Sequence, residues 1–146
     1  MENDTIPVIL DTDIGTDVDD IVALGLVLRA PRFDLRAVTK VYGDTALRAR
    51  LARGVLALCG RSEVPVCYGV ERPLLGRDPI VWAGWEADGI PPYDESAVIP
   101  APHAIDVLIQ QVMAQPGTVT ILAIGPLTNI AVAMMREPRF AGVYGA

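Results

Sequence analysis

The sequence predicts an α/β protein with an open, mostly parallel sheet and helices on both faces of that sheet. Short apolar runs typical of buried strands alternate along the 146 residues with segments that have the apolar spacing of helices. This alternation is typical of parallel strands joined by crossover helices. The composition, 51% hydrophobic and 21% charged, is that of a chain with a packed core.

The expected elements follow from the apolar spacing and from residues that end helices. The predicted strands are 8–10, 35–42, 64–68 and 119–124, and the predicted helices are 19–30, 45–59, 103–114 and 127–135. Pro31 stops the first helix, and Gly60 is a suitable residue to follow the second. The long stretch 69–102 contains both tryptophans, and part of it is expected to line a substrate site.

Net charge, cysteine content and apolar run length indicate which partners and which compartment to expect. The formal net charge of −6 argues against a broad surface for nucleic acid. Cys59 and Cys67 do not form a CxxC pair, so free thiols in a reducing compartment are expected. The N-terminus lacks the features of a signal segment, and the longest apolar run is too short for a bilayer. The sequence therefore predicts a cytoplasmic protein with no membrane partner.

A group of five aspartates stands where the first strand should end and the first helix begin: Asp11, Asp13, Asp17, Asp19 and Asp20. Ligands of open parallel sheets bind beyond the carboxyl ends of the strands. Asp11 and Asp13 would point the same way in an extended chain, and Gly15 permits a tight turn. Crowded carboxylates repel one another unless a cation compensates, and an all-oxygen set suits calcium or magnesium. The alternative is helix capping by Asp17, with Asp19 and Asp20 at the positive helix end.

The stretch VILDTDIGTDVDD, residues 8–20, strongly resembles the signature of the inosine–uridine-preferring nucleoside hydrolase family. AVTKVYGD (37–44) and TILAIGPLTNIA (120–131) resemble two further segments of that family, in the right order. Family members are about twice as long. The resemblance therefore implies that residues 1–146 are the N-terminal half of a nucleoside hydrolase-like domain, a truncated version of that fold whose C-terminal half is absent.

The resemblance implies an activity and a set of site residues. The expected reaction is hydrolysis of the N-glycosidic bond of ribonucleosides to ribose and free base, assisted by calcium (Ca2+). By similarity, Asp13 is a metal ligand and the general base, Asp20 and the backbone carbonyl of Ile124 are metal ligands, and Asp19 binds a ribose hydroxyl. The expected partner is a small-molecule nucleoside, and the family's dimers and tetramers allow a homo-oligomer. The truncated chain is expected to be impaired in this activity.

Two further substrate contacts implied by the resemblance have structural alternatives. Asp44 stands where many family members carry an asparagine that contacts ribose, but it is also an ordinary turn residue after Gly43. Trp85 lies in a segment resembling a family loop near the substrate, where it could stack on a base or anchor the loop.

Other residues are expected to have structural roles. His103, the single histidine, follows Pro102 at a helix start, so capping or a surface position is expected there rather than acid catalysis. Pro126 is expected at the first position of the last helix. The arginines of the second helix are expected to form a solvent-exposed face: Arg48, Arg50 and Arg53.

Two alternative functions stay open at the level of sequence. A haloacid-dehalogenase-type phosphatase also places two aspartates, one residue apart, after its first strand. That alternative leaves Asp19, Asp20 and the GPLTN segment unexplained. The second alternative is a non-catalytic fragment or metal-binding remnant that keeps the aspartates for folding.

Overall fold

The computed structural model describes residues 5–76 and 102–143, in which strands and helices alternate. The strands are β1 (Ile6–Thr12), β2 (Phe33–Lys40), β3 (Val66–Cys67) and β4 (Thr120–Ala123). The helices are α1 (Asp19–Arg29), α2 (Thr45–Leu58), α3 (Ala104–Ala114) and α4 (Thr128–Arg136), followed by a 3-10 helix, Pro138–Val143. The strands form one sheet in the order β3-β2-β1-β4, and every pairing is parallel. The predicted fold class is confirmed.

The central strand β1 separates two apolar cores because alternate side chains of a strand point to opposite faces. Val8 and Leu10 belong to a core shared with α1 and α2, whereas Ile9 belongs to a core shared with α3, α4 and the 3-10 helix. Helices therefore cover both faces of the sheet. No helix in the described residues has the length and hydropathy needed to cross a membrane.

The pairing of β1 with β2 contains one irregularity. Val8 lies opposite Leu35 and Ile9 lies opposite Ala37, so Arg36 is the extra residue in β2. Its side chain is exposed and forms an ion pair with Asp34 at 2.6 Å. The irregularity lets Leu35 and Val38 face the same core although they are three residues apart.

Turn geometry moves some element boundaries away from their predicted positions. β2 ends at Lys40, before the predicted end at 42, because Tyr42 and Gly43 have positive φ angles of 66° and 73° and turn the chain towards α2. α2 ends at Leu58 with Cys59 as its C-cap residue, and Gly60 follows with a positive φ of 68° that ends the helix. The placement of Pro126 at the first helical position is wrong, since α4 begins at Thr128 and is preceded by Leu127.

The predicted solvent-exposed arginine face of α2 is also wrong. Arg48 is fully buried, Arg53 is 8% exposed, and Arg50 is half-buried. A guanidinium group tolerates burial when it finds acceptors. Arg53 donates to the Tyr68 hydroxyl at 3.2 Å and lies over its ring, 5.5 Å from the ring centre. Arg48 donates to backbone carbonyls near the aspartate cluster.

Candidate functional site

The aspartate cluster lies at the carboxyl ends of three neighbouring strands. Because β1 lies between β2 and β4, the segments that leave these strands meet at one edge of the sheet. The amides of Ile124 and Gly125 donate to the Asp11 carbonyl at 2.9 and 3.3 Å, and the Val41 amide donates to the Thr12 carbonyl at 3.2 Å. The loop from β1 to α1 is thereby held against the ends of both neighbouring strands.

Asp11 lies beneath this edge, fully buried in the structure. Its Oδ1 accepts hydrogen bonds from Thr39 Oγ1 at 2.6 Å and from Asn129 Nδ2 at 2.7 Å. Burial raises the pKa of Asp11, and these two hydrogen bonds oppose the rise. Its remaining oxygen, Oδ2, has no hydrogen-bond partner among the described residues. Asp11 therefore links β1 to β2 and α4 in the interior of the protein, next to the aspartate cluster.

Asn129, in the first turn of α4, forms hydrogen bonds to β1, to the end of β2 and to the loop after β3. Its Nδ2 also donates to the Lys40 carbonyl at 2.9 Å, and its Oδ1 accepts from the Val70 amide at 2.9 Å. It is fully buried. The sequence analysis assigned no role to this residue beyond its place in the GPLTN segment, because the bridge depends on the order of the strands in the sheet.

Asp20 is held by a short chain of hydrogen bonds. Thr12 Oγ1 donates to the Asp20 carboxylate, and the Ile14 amide donates to the same hydroxyl oxygen at 3.0 Å. Asp20 is 6% exposed, and its pKa is raised by burial, against the effect of the Thr12 bond. Asp20 thus lies in a fixed position in the first turn of α1.

Three carboxylates come close together at the start of α1. One oxygen from each of Asp17, Asp19 and Asp20 lies within 4.8 Å of the others. The hydrogen bond between Asp17 and Asp19 raises the pKa of Asp17 and lowers that of Asp19. The alternative in which Asp17 caps the helix is wrong, since the capping position is Val18 and no side chain caps it. Asp19 and Asp20 do occupy the first helical turn, as predicted.

Asp13 lies beside this group, although it is not one of the three clustered carboxylates. It is half-buried; burial raises its pKa, Arg48 opposes the rise, and the charges of Asp17 and Asp19 add to it. A Cβ atom built on Gly125 would lie 2.9 Å from both the amide nitrogen and Oδ1 of Asp13. The backbone that carries Ile124 therefore packs directly against Asp13. Asp13, Asp20 and Ile124 lie at the same edge of the sheet.

The donor set at this edge suits a hard divalent cation. The site offers carboxylate oxygens at close spacing; burial raises the pKa of Asp13 and Asp20, the hydrogen bond with Asp19 raises that of Asp17, and the neighbouring negative charges add to all three. A bound cation would relieve that repulsion, and calcium and magnesium both prefer oxygen ligands. The residues present therefore fit the cation that the sequence resemblance implies.

Arg48 holds the loop that carries Asp13. It donates to the carbonyl of Asp13, to that of Ile14 at 2.9 Å, to that of Tyr42 at 2.6 Å and to Thr16 Oγ1 at 3.2 Å. One side chain thus joins the β1–α1 loop to the turn after β2. The sequence interpretation missed this role because an arginine at helical spacing is usually solvated.

The remaining predicted site residues have structural roles or lie elsewhere. Asp44 is exposed and caps α2, its Oδ1 accepting from the Leu47 amide at 2.9 Å. It also borders an open depression of about 420 Å³ with Gly43, Glu71 and Arg72. Trp85 lies outside the described residues. His103 caps α3, as expected, by accepting a hydrogen bond from the Ile105 amide at 3.3 Å.

The fold defines a class of protein: an open, parallel α/β protein, whose class binds its ligands beyond the carboxyl ends of the strands, where the aspartate cluster of this chain lies. The family model described as inosine-uridine preferring nucleoside hydrolase matches residues 8–144. The chain belongs to this family.

Individual relatives agree with the family match. The chain is 36% identical to "Probable uridine nucleosidase 1" of Oryza sativa subsp. japonica, an alignment covering 91% of this chain and 42% of the relative. It is 33% identical to "Pyrimidine-specific ribonucleoside hydrolase RihB" of Escherichia coli O9:H4 (strain HS), covering 90% and 42%. The chain spans less than half the length of these relatives.

Solved structures of similar proteins show the same architecture. A plant nucleoside hydrolase, the PpNRh1 enzyme, superposes with a TM-score of 0.81 at 34% identity, over 94% of this chain and 45% of that one. An inosine-guanosine nucleoside hydrolase superposes with a TM-score of 0.78 at 29% identity, over 96% and 45%. The described part of this chain therefore corresponds to a part of the nucleoside hydrolase fold.

Proposed function

We propose that this chain carries the metal-binding and ribose-binding part of an enzyme that hydrolyses the N-glycosidic bond of ribonucleosides. The observation that carries this proposal is the convergence of Asp13, Asp20 and the Ile124 backbone at one sheet edge in a member of this family. The relatives named as nucleosidases and ribonucleoside hydrolases support the same reaction class. The phosphatase alternative receives no support from these matches.

Asp13, Asp20 and the Ile124 carbonyl are the proposed ligands of calcium. Asp20 suits this role because Thr12 fixes its carboxylate, and Asp13 suits it because Gly125 packs against its side chain. When bound, calcium would lower the pKa of a coordinated water and hold the ribose hydroxyls. The chemistry of the oxygen donors supports a hard cation, and calcium in particular is part of the proposal.

The protein's own side chains would then handle protons and charge. Asp13 is proposed to take the proton of the attacking water, because its carboxylate lies at the sheet edge beside the proposed cation. Asp19 is exposed, and its lowered pKa keeps it ionised to accept a hydrogen bond from a ribose hydroxyl. The combined negative charge would stabilise the cationic, oxocarbenium-like transition state. Asp44 and Trp85 are proposed as further contacts to the substrate.

A chimaeric protein tests the reaction directly. Residues 8–143 would replace the matching part of the rice relative, so that the rest of the fold comes from a protein of full family length. We expect release of ribose from uridine or inosine with calcium present, and loss of about a hundredfold or more in kcat on Asp13→Asn. Release of phosphate from p-nitrophenyl phosphate, with no cleavage of p-nitrophenyl riboside, would instead support the phosphatase alternative.

Calcium calorimetry on the 146-residue chain tests the metal site separately. Calcium should bind the wild type, and Asp13→Ala should lose most of that binding. Asp34→Ala is a matched control, because Asp34 is a partly exposed aspartate at the far end of β2. Equal heats for the wild type and Asp13→Ala would refute the metal site.

Sedimentation of the same samples would test the predicted homo-oligomer, and fractionation of the source cells would test the predicted cytoplasmic location.

A further inference from the structure

Lys40 is a fully buried lysine at the end of β2. Its backbone pairs with Thr12 of β1, the residue that donates to Asp20. Two buried side-chain atoms in the described residues have no hydrogen-bond partner, and these are Lys40 Nζ and Asp11 Oδ2. A buried ammonium without a hydrogen bond is costly, so its presence at this position needs a physical explanation.

The charges around Lys40 supply that explanation. The carboxylates of Asp11 and Asp20 favour its charged form, while burial and the neighbouring Arg48 disfavour it and bring its pKa down to about 7. Reciprocally, the lysine charge lowers the pKa of Asp11 and of Asp20. Lys40 therefore lies close enough to both carboxylates to act on them through space, from the interior side of the aspartate cluster.

We propose that Lys40 is a positioning residue that acts as a resident cation: it compensates the charges of Asp11 and Asp20 and weakens the binding of a divalent cation at the same cluster. The inference rests on the proposed metal site. Lys40 thus competes with the metal, since the ammonium group and the divalent cation interact with the same group of carboxylates. The cluster can consequently stay folded without a metal, at the expense of metal affinity.

The expected effect on affinity follows from Coulomb's law. An ammonium that interacts with the same carboxylates as a divalent cation repels that cation appreciably even at the effective dielectric constant of about 20 that suits protein sites. We expect that removing the charge tightens calcium binding by at least about tenfold, which corresponds to about 1.4 kcal/mol.

The test compares calcium affinity in three versions of the 146-residue chain, measured by calorimetry at about pH 6, below the pKa of about 7 of Lys40. Lys40→Met removes the charge and keeps the length of the side chain. Arg36→Met is the matched control, because it removes the same charge from an exposed position on the same strand. Lys40→Met should bind calcium about tenfold more tightly than the wild type, and Arg36→Met should stay within about twofold.

Thermal melting gives a second readout. The Tm measured with calcium should exceed the Tm measured with a chelator by more in Lys40→Met than in the wild type. In the variant, calcium compensates the negative charges of Asp11 and Asp20 that Lys40 compensates in the wild type. If Lys40→Met does not fold, Lys40→Gln removes the same charge with a polar side chain, and the same results are expected.

The outcomes separate the two proposals. Tighter calcium binding without the lysine charge supports the resident cation. Calcium binding by the wild type that is equal to or tighter than that of the Lys40 variant overturns the resident cation and leaves the metal site intact. Absence of calcium binding in every version overturns the metal site and the resident cation together.

Discussion

Replacing Arg48 with methionine should severely destabilise the protein, because Arg48 is the link between the aspartate loop and the rest of the fold. The guanidinium group is fully buried and donates to the carbonyls of Asp13, Ile14 and Tyr42. Hydrogen bonds that involve a charged group are worth about 1.5–3 kcal/mol each. Three such bonds would contribute roughly 4.5–9 kcal/mol before the cost of burying the charge is subtracted.

The desolvation cost of a buried ion is several kcal/mol, so the net loss in the free energy of unfolding should be about 3–5 kcal/mol. Arg48→Lys should lose about half as much, because a single ammonium group cannot serve all three carbonyls. Arg50→Met is the matched control, since Arg50 lies half-buried on the same helix. That variant should change the free energy of unfolding by less than about 1 kcal/mol.

Urea-induced unfolding followed by circular dichroism measures these differences. Calcium affinity should also fall by about tenfold in Arg48→Met, because the loop that carries Asp13 loses its anchor. Equal unfolding free energies for the Arg48 and Arg50 methionine variants would show that the buried guanidinium group does not hold the loop, and the structural role assigned to it would be wrong.

Four further predictions concern the site, the substrate and the thiols. Gly125→Ala should weaken calcium binding by about tenfold, because the new Cβ would overlap Asp13, whereas Gly25→Ala has open space and should leave calcium affinity unchanged. The chimaera should cleave inosine far faster than 2′-deoxyinosine, because a site built to bind a hydroxyl rejects a substrate without one; comparable rates would refute the ribose contacts. In the native chain a thiol reagent should label exposed Cys59 and spare buried Cys67, whose pKa is raised to about 11 by burial, and rapid labelling of both would contradict the structure. Since the Cys67 thiol titrates near 9.0 when unfolded, stability should be lost as pH rises from about 9 towards 11, and Cys67→Ala should reduce that loss.

The fold class and the position of the site could be predicted because both depend on local signals. Apolar spacing identified each strand and α-helix of the described residues to within a few residues, and the parallel arrangement follows from their alternation. The aspartates Asp13, Asp19 and Asp20 lie at the predicted edge of the sheet because they follow the first strand, and the carboxyl ends of parallel strands meet there; their roles stay predictions.

The supporting residues could not be predicted, because their roles depend on contacts between distant segments. Arg48 has the helical spacing of a solvated residue, and only its packing against the aspartate loop shows that it is buried. Lys40 likewise resembles an ordinary residue at the end of a strand. Asn129 belongs to a recognised motif, but its bridge from Asp11 to Lys40 requires the order of β2, β1 and β4 in the sheet.

The sheet order has a kinetic consequence for assembly of the site. Thr39 and Asp11 are joined across 28 residues, whereas Asn129 and Asp11 are joined across 118. Each doubling of a closed loop costs about 0.6 kcal/mol of chain entropy, so the second contact costs about 1.2 kcal/mol more to form than the first. Pairings of high sequence separation also form slowly. The β1–β2 pair should therefore precede the docking of β4 during folding, and the aspartate cluster should become able to bind a cation only in the last step.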